Sequence, residues 1–109
     1  MRLGIIYCAT NIVTGEVYIG QTDNLAKRIK EHVRYSMQPH RREWKVKFHA
    51  AIRQYGYSNF RWNILYSGVP ENYIDIMEKW CIYNFNSFEK GYNSHSGGRT
   101  VNKKISRSI

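Results

Sequence analysis

The sequence predicts an α/β domain: a three-stranded antiparallel sheet flanked by three helices, in the chain order β-β-α-α-β-α. Three observations predict it. Residues 4–10 and 16–20 are rich in β-branched and aromatic side chains around a glycine turn. Apolar residues then recur at helical spacing in three separate stretches, and residues 59–66 alternate like a strand between the second and third of them.

The first two strands form a hairpin. Gly4-Ile5-Ile6-Tyr7-Cys8-Ala9-Thr10 and Glu16-Val17-Tyr18-Ile19-Gly20 are joined by residues 11–15, whose Gly15 offers the positive φ a hairpin loop needs. Tyr7 and Tyr18 therefore fall on neighbouring strands. Thr22-Asp23-Asn24 supplies N-cap side chains for a helix over about 24–35. On it Leu25, Ala26, Ile29 and Val33 share one face, with Lys27, Lys30, Glu31 and Arg34 opposite. Arg28 and His32, four apart, project together at the border between the faces.

Residues 36–43 make a polar, basic loop with Pro39 and His40. A second helix over about 44–55 follows from Trp44, Phe48, Ile52 and Tyr55, capped by Gly56. His49 lies off that stripe and is expected to be solvated. Phe60, Trp62, Ile64 and Tyr66 alternate with Arg61, Asn63 and Leu65 in the third strand. Pro70-Glu71-Asn72 opens a third helix over about 71–85, with Asn72 or Pro70 at its start. Ile74, Met77, Cys81, Ile82 and Phe85 form its apolar stripe, and Glu78 falls inside that stripe. A carboxylate there is costly unless it is paired or bound to a cation. An ion pair with Arg28 would serve the first need and a divalent metal the second.

Composition narrows the partner. Of 109 residues, 17 are Lys or Arg and 8 are Asp or Glu, a formal net charge of +9 that favours a polyanion. No apolar stretch is long enough to suggest a membrane span. The two cysteines, Cys8 and Cys81, sit inside apolar-patterned elements and read as reduced core residues rather than a disulfide or zinc framework. Met-Arg-Leu-Gly leaves no room for a signal peptide, so an intracellular location is expected. The domain is taken as residues 1–98, with 99–109 as a basic linker or frayed tail.

Tyr7, the Tyr18-Ile19-Gly20 motif eleven residues later and Arg28 ten residues after Tyr18 together resemble the GIY-YIG nucleases. The first motif reads Ile5-Ile6-Tyr7 here, with Gly4 one place early. His40, Glu78 and the late Gly91-Tyr92-Asn93 extend the resemblance over residues 4 to about 98. The resemblance implies a metal-dependent DNA endonuclease, the catalytic module of a homing-type enzyme, acting on double-stranded DNA. It also implies a monomeric module with a separate DNA-binding domain in a longer parent protein.

Phosphodiester hydrolysis needs an activated water, charge stabilisation on the phosphoryl oxygens and help for the leaving oxygen. Tyr7 is the expected general base, its phenol pKa of about 10 lowered or bypassed. Tyr18 positions or relays to the water, and Arg28 grips the phosphate with its planar fork. Glu78 is the metal ligand; a lone carboxylate suits Mg²⁺ (or Mn²⁺), which keeps several waters. His32 and His40 match positions where the family often carries functional side chains. Lys27, Arg28, His40, Arg41 and Arg42 are the expected nucleic-acid contacts. Gly20 and Asn93 are expected to be structural, since both ends of an asparagine amide can tie backbone together. A non-catalytic basic module that stacks bases on Tyr and Trp is the alternative of another class. A repair or restriction nuclease would keep the chemistry and change the biology.

Overall fold

The structure, a computed structural model, describes residues 2–94; the expected tail at 99–109 lies outside them. Strands β1 (Leu3–Asn11), β2 (Val17–Thr22) and β3 (Phe60–Pro70) form one antiparallel sheet in the order β2-β1-β3. Helix α1 (Leu25–Ser36) follows the hairpin, α2 (Lys47–Tyr55) precedes β3, and α3 (Ile74–Phe85) closes the fold. The predicted architecture is the observed one.

Because strand side chains alternate, central β1 feeds two cores. Ile6 and Cys8 pack with Ile19, Val69, Cys81 and Ile82 beneath α3. Ala9 packs with Phe48, Ile52, Phe60 and Tyr92 beneath α2. Both cysteines are buried free thiols, as the apolar pattern around them predicts. Among the described residues no helix is long and apolar enough to cross a membrane.

Local signals place most boundaries. The Asn24 side chain caps α1 by accepting from the Lys27 N–H at 3.1 Å, and Gly56 ends α2 at φ 85°. Three details differ from expectation. Trp44 belongs to a 3₁₀ turn at Arg42–Lys45 rather than to α2, and the Arg53 guanidinium sits over its ring at 3.6 Å. Helix α3 starts at Ile74 after a turn, with Tyr73 at its N-cap and no side-chain cap from Asn72. In β3 the regular pairing breaks after Ile64: Ile64 and Tyr66 are exposed, whereas Leu65 packs on the core. The register shifts there, with Tyr7 opposite Ile64 but Ile6 opposite Tyr66. Leu65 is the extra residue of that bulge, so two residues of β3 advance against one of β1.

Candidate active site

The motif glycine is explained by its cross-strand neighbour. Gly20 pairs with Tyr7 in the β1–β2 ladder, and a Cβ at position 20 would land on the Tyr7 ring and hydroxyl. Only a bare backbone lets the buried tyrosine lie across β2. The strand is held from behind by Asn93, whose Oδ1 accepts from the Ile19 N–H at 2.8 Å while its Nδ2 donates to the Ile19 carbonyl at 2.9 Å. Both ends of one amide thus fix the residue between Tyr18 and Gly20.

A cleft of about 670 Å³ opens beside this strand, and Tyr7, Tyr18, Arg28 and Glu78 all line it. Glu78 is 7 % exposed and accepts from Gln21 Nε2 at 2.9 Å; the same amide nitrogen lies 2.8 Å from the Asp75 carboxylate. Arg28 does not pair with Glu78. Its Nη1 donates instead to Glu31 Oε1 at 3.0 Å, one turn along α1. No group of three or more His, Cys, Asp or Glu side chains suited to a metal gathers among the described residues. A cation in the cleft would therefore meet one or two carboxylates, Glu78 foremost, and keep much of its water. That donor chemistry fits Mg²⁺.

On the other side of Tyr7 the surroundings are aromatic and buried, with a smaller cavity bordered by His32 and His49. Tyr18 stacks on Phe48 with centroids 4.3 Å apart and planes 1° apart, and Trp62 lies 5.8 Å from the His32 ring. The Tyr7 hydroxyl is 2.7 Å from His32 Nε2. His32 Nδ1 is 2.8 Å from His49 Nε2, and His49 Nδ1 is 2.8 Å from the Glu43 carbonyl oxygen. His49 is therefore no solvated histidine. It is 2 % exposed, because α2 turns it toward α1 rather than outward. Its position off the apolar stripe is real, but that side of α2 faces another buried polar group. The border of α1 is also its most buried line: His32 and Ser36 are buried, whereas Ala26 of the apolar face is exposed.

Burial sets the protonation of these groups. It pushes the Tyr7 phenol far above its usual value; Tyr18 adds to the shift, and the Arg28 guanidinium offsets only part of it. Burial also pushes His32 down to about 2, with Arg28 and His49 contributing. His49 is lowered as well, again chiefly by burial. At rest the line from Tyr7 to His49 is a phenol and two neutral imidazoles.

The remaining sequence-selected residues lie elsewhere. His40 is exposed in the turn after α1 and borders neither this cleft nor the smaller cavity of about 150 Å³ beside His32. Lys27 and Arg42 are exposed too. Arg41 donates to Gln38 Oε1 at 2.8 Å and sits 4.1 Å over the Tyr35 ring.

A family model described as the GIY-YIG catalytic domain matches residues 3–93. The chain belongs to the GIY-YIG nuclease family. Among solved structures it is similar to a glutamate-to-alanine variant of the catalytic domain of the intron endonuclease I-TevI. The two share 23 % identity with a TM-score of 0.75, over 86 % of this chain and 95 % of that one. It is likewise similar to the catalytic domain of the homing endonuclease I-TevI, at 24 % identity and a TM-score of 0.72, over 84 % of this chain and 98 % of that one. At such identities the likeness is one of fold. A search of curated proteins finds no match. The GIY-YIG match runs from β1, which carries Tyr7, to Asn93, which braces β2.

Proposed function

We propose that this GIY-YIG domain is a divalent-metal-dependent DNA endonuclease of the homing type. The carrying observation is that Tyr7, Tyr18, Arg28 and Glu78, drawn from β1, β2, α1 and α3, line one cleft. The two solved catalytic domains that share its fold come from an intron-encoded, homing endonuclease.

Arg28 binds the scissile phosphate. It exchanges or shares its bond to Glu31 as the phosphate enters, and the planar fork offers two parallel donors. Glu78 is the side chain that would hold Mg²⁺, with Asp75 one turn away; the ion supplies charge stabilisation on the phosphoryl and leaving oxygens. Tyr7 accepts a proton from the attacking water as its own proton passes to His32 Nε2. The water oxygen forms the new bond to phosphorus and the bond to the leaving oxygen breaks. That oxygen takes a proton from solvent and His32 returns one, which closes the balance. This route bypasses the high phenol pKa, since free phenolate never accumulates. It also gains from phosphate binding: neutralising Arg28 removes one of the causes that hold His32 low. Tyr18, stacked on Phe48, fixes the position of the water beside Tyr7.

Grip on the duplex comes mainly from phosphates, which position without specifying sequence, so binding falls as salt rises. The test is incubation with supercoiled plasmid in Mg²⁺, in Mn²⁺ and with chelator. Nicked and linear product only with metal is the expected result. Salt-sensitive binding with no product in either metal would leave a basic DNA-binding module instead.

A further inference from the structure

The GIY-YIG match and the resemblance in the sequence leave His49 without a role, yet it is buried and bonded at both ring nitrogens. We propose that His49 is a positioning residue that sets the direction of every proton between the Glu43 backbone carbonyl and the Tyr7 hydroxyl, so that Tyr7 turns lone pairs rather than its proton toward the cleft. The proposal rests on Tyr7 being the base of the reaction.

A carbonyl oxygen only accepts, so His49 Nδ1, 2.8 Å from the Glu43 oxygen, carries a hydrogen. A neutral imidazole has one N–H, so His49 Nε2 is then bare and must accept. The atom it faces at 2.8 Å, His32 Nδ1, is therefore the donor. His32 is neutral in turn, which leaves its Nε2 bare and facing the Tyr7 hydroxyl at 2.7 Å. Tyr7 has a single proton, and it is committed to His32. Burial supports each neutral ring, because it disfavours the imidazolium form of both.

The reverse order would change the chemistry. Were His32 protonated on Nε2, that N–H would donate to the Tyr7 oxygen. The Tyr7 proton would then point away from His32, and the phenol would meet the water as a donor. A donor cannot take the water's proton. The carbonyl of Glu43, two residues after Arg41 and outside the cleft, thus decides through His49 whether Tyr7 can act as a base. Helix placement makes this possible: His49 stands in the first turn of α2, six residues after Glu43, and the 3₁₀ turn at Arg42–Lys45 turns that carbonyl back onto the ring.

The first test needs no substitution. In the wild-type chain labelled with ¹⁵N-histidine, long-range ¹H–¹⁵N correlation near neutral pH should show His32 protonated on Nδ1 and bare on Nε2, and His49 the same. The opposite tautomer at His32 would overturn the proposal whether or not the chain cuts DNA. If the tautomers are as expected but plasmid is never cut, the proton order stands and the nuclease reading falls. The second test uses His49→Phe and His49→Gln. Phe keeps a flat ring but offers His32 no acceptor; Gln offers its side-chain oxygen. His49→Phe should lower kcat by about 10² or more with KM little changed, and shift His32 to the Nε2–H tautomer. His49→Gln should recover kcat to within about tenfold of wild type and restore the tautomer. Wild-type kcat in His49→Phe, or a His49→Gln no better than His49→Phe while both melt cooperatively, would refute the assignment.

Discussion

The two sides of Tyr7, an open wall facing the cleft and a closed wall behind it, are built on opposite terms. On the α3 side Glu78, Asp75 and Gln21 face an open volume shared with Arg2 and Asp23, and charge is the working material. On the α1–α2 side His32 and His49, each 2 % exposed, sit among Tyr18, Phe48 and Trp62, and both are held neutral by burial. Arg28 stands between them. The contrast separates two demands of phosphodiester hydrolysis that conflict in a single environment. Holding a hydrated cation needs water and carboxylates. Directing a proton needs fixed hydrogen bonds in a place where water cannot scramble them.

If the open wall supplies the charge stabilisation, Glu78→Gln should have the largest effect of any single change. Losing several kcal/mol of such stabilisation corresponds to about a thousandfold or more in rate. The fold should survive, since the Gln side-chain oxygen can still accept from Gln21. Plasmid nicking in Mg²⁺ beside a melting curve checks both halves. Nicking at the wild-type rate would show that the acidic wall is not a metal site.

Tyr7→Phe probes the join between the walls. It keeps the ring across Gly20 and removes the hydroxyl, so the expected loss is about 10²–10⁴ in rate. Stability should fall by only about 1 kcal/mol, for the bond lost by His32 Nε2. Tyr18→Phe should cost less if, as proposed, Tyr18 orients the water and exchanges no proton. Single-turnover cleavage of one labelled duplex ranks the two. A larger defect in Tyr18→Phe would exchange their roles.

Gly20→Ala should damage both walls at once. The added methyl meets the buried Tyr7 ring, and overpacking of this kind costs about 1–3 kcal/mol. Tyr7 must shift, so cleavage should fall with it. Gly15→Ala is the matched control: position 15 has φ 81° with nothing near a new Cβ, so strain should lower the melting temperature without touching the rate. If Gly20→Ala cuts as fast as Gly15→Ala, the close approach of Tyr7 to β2 does not matter to the site.

The open wall was more legible in the sequence than the closed one. Glu78 announces itself because a charged residue inside an apolar helical stripe violates the pattern that built the helix. Tyr7, Tyr18 and Gly20 are carried by spacing within one hairpin, where register follows from the turn. His49 gives no such signal. Its neighbours on α2 predict a helix, and a histidine off the apolar face is ordinarily solvated. What buries it is the docking of α1 on α2, a contact between elements that no periodicity within either one encodes. The bulge in β3 escaped for a related reason: Ile64-Leu65-Tyr66 are all strand-forming, so the regular pairing could continue through them. Only pairing with β1 shows where it breaks. His40 is selected through the resemblance; the turn after α1 holds it at the surface, away from the cleft, where only a bound duplex would reach it.

The closed wall makes one further prediction, the smallest in size. His32 is neutral in the folded chain down to about pH 2, whereas in the unfolded chain it takes up a proton below its ordinary value near 6.5. Between those limits the unfolded state binds more protons, so stability rises with pH and is lost as pH falls through about 6.5. His32 alone should cost about 2 kcal/mol at pH 5 relative to neutral pH, and the lowered His49 acts in the same direction. Thermal melts at pH 7.5, 6 and 5 read this window above the range in which ordinary carboxylates titrate. A His32→Phe variant has nothing to protonate at this position; it should melt lower at pH 7.5 but show a shallower fall toward pH 5. Equal slopes in the two proteins would mean that water reaches His32 and charges it in the folded state. The closed wall would then be as wet as the open one, and the division of labour between them would fail.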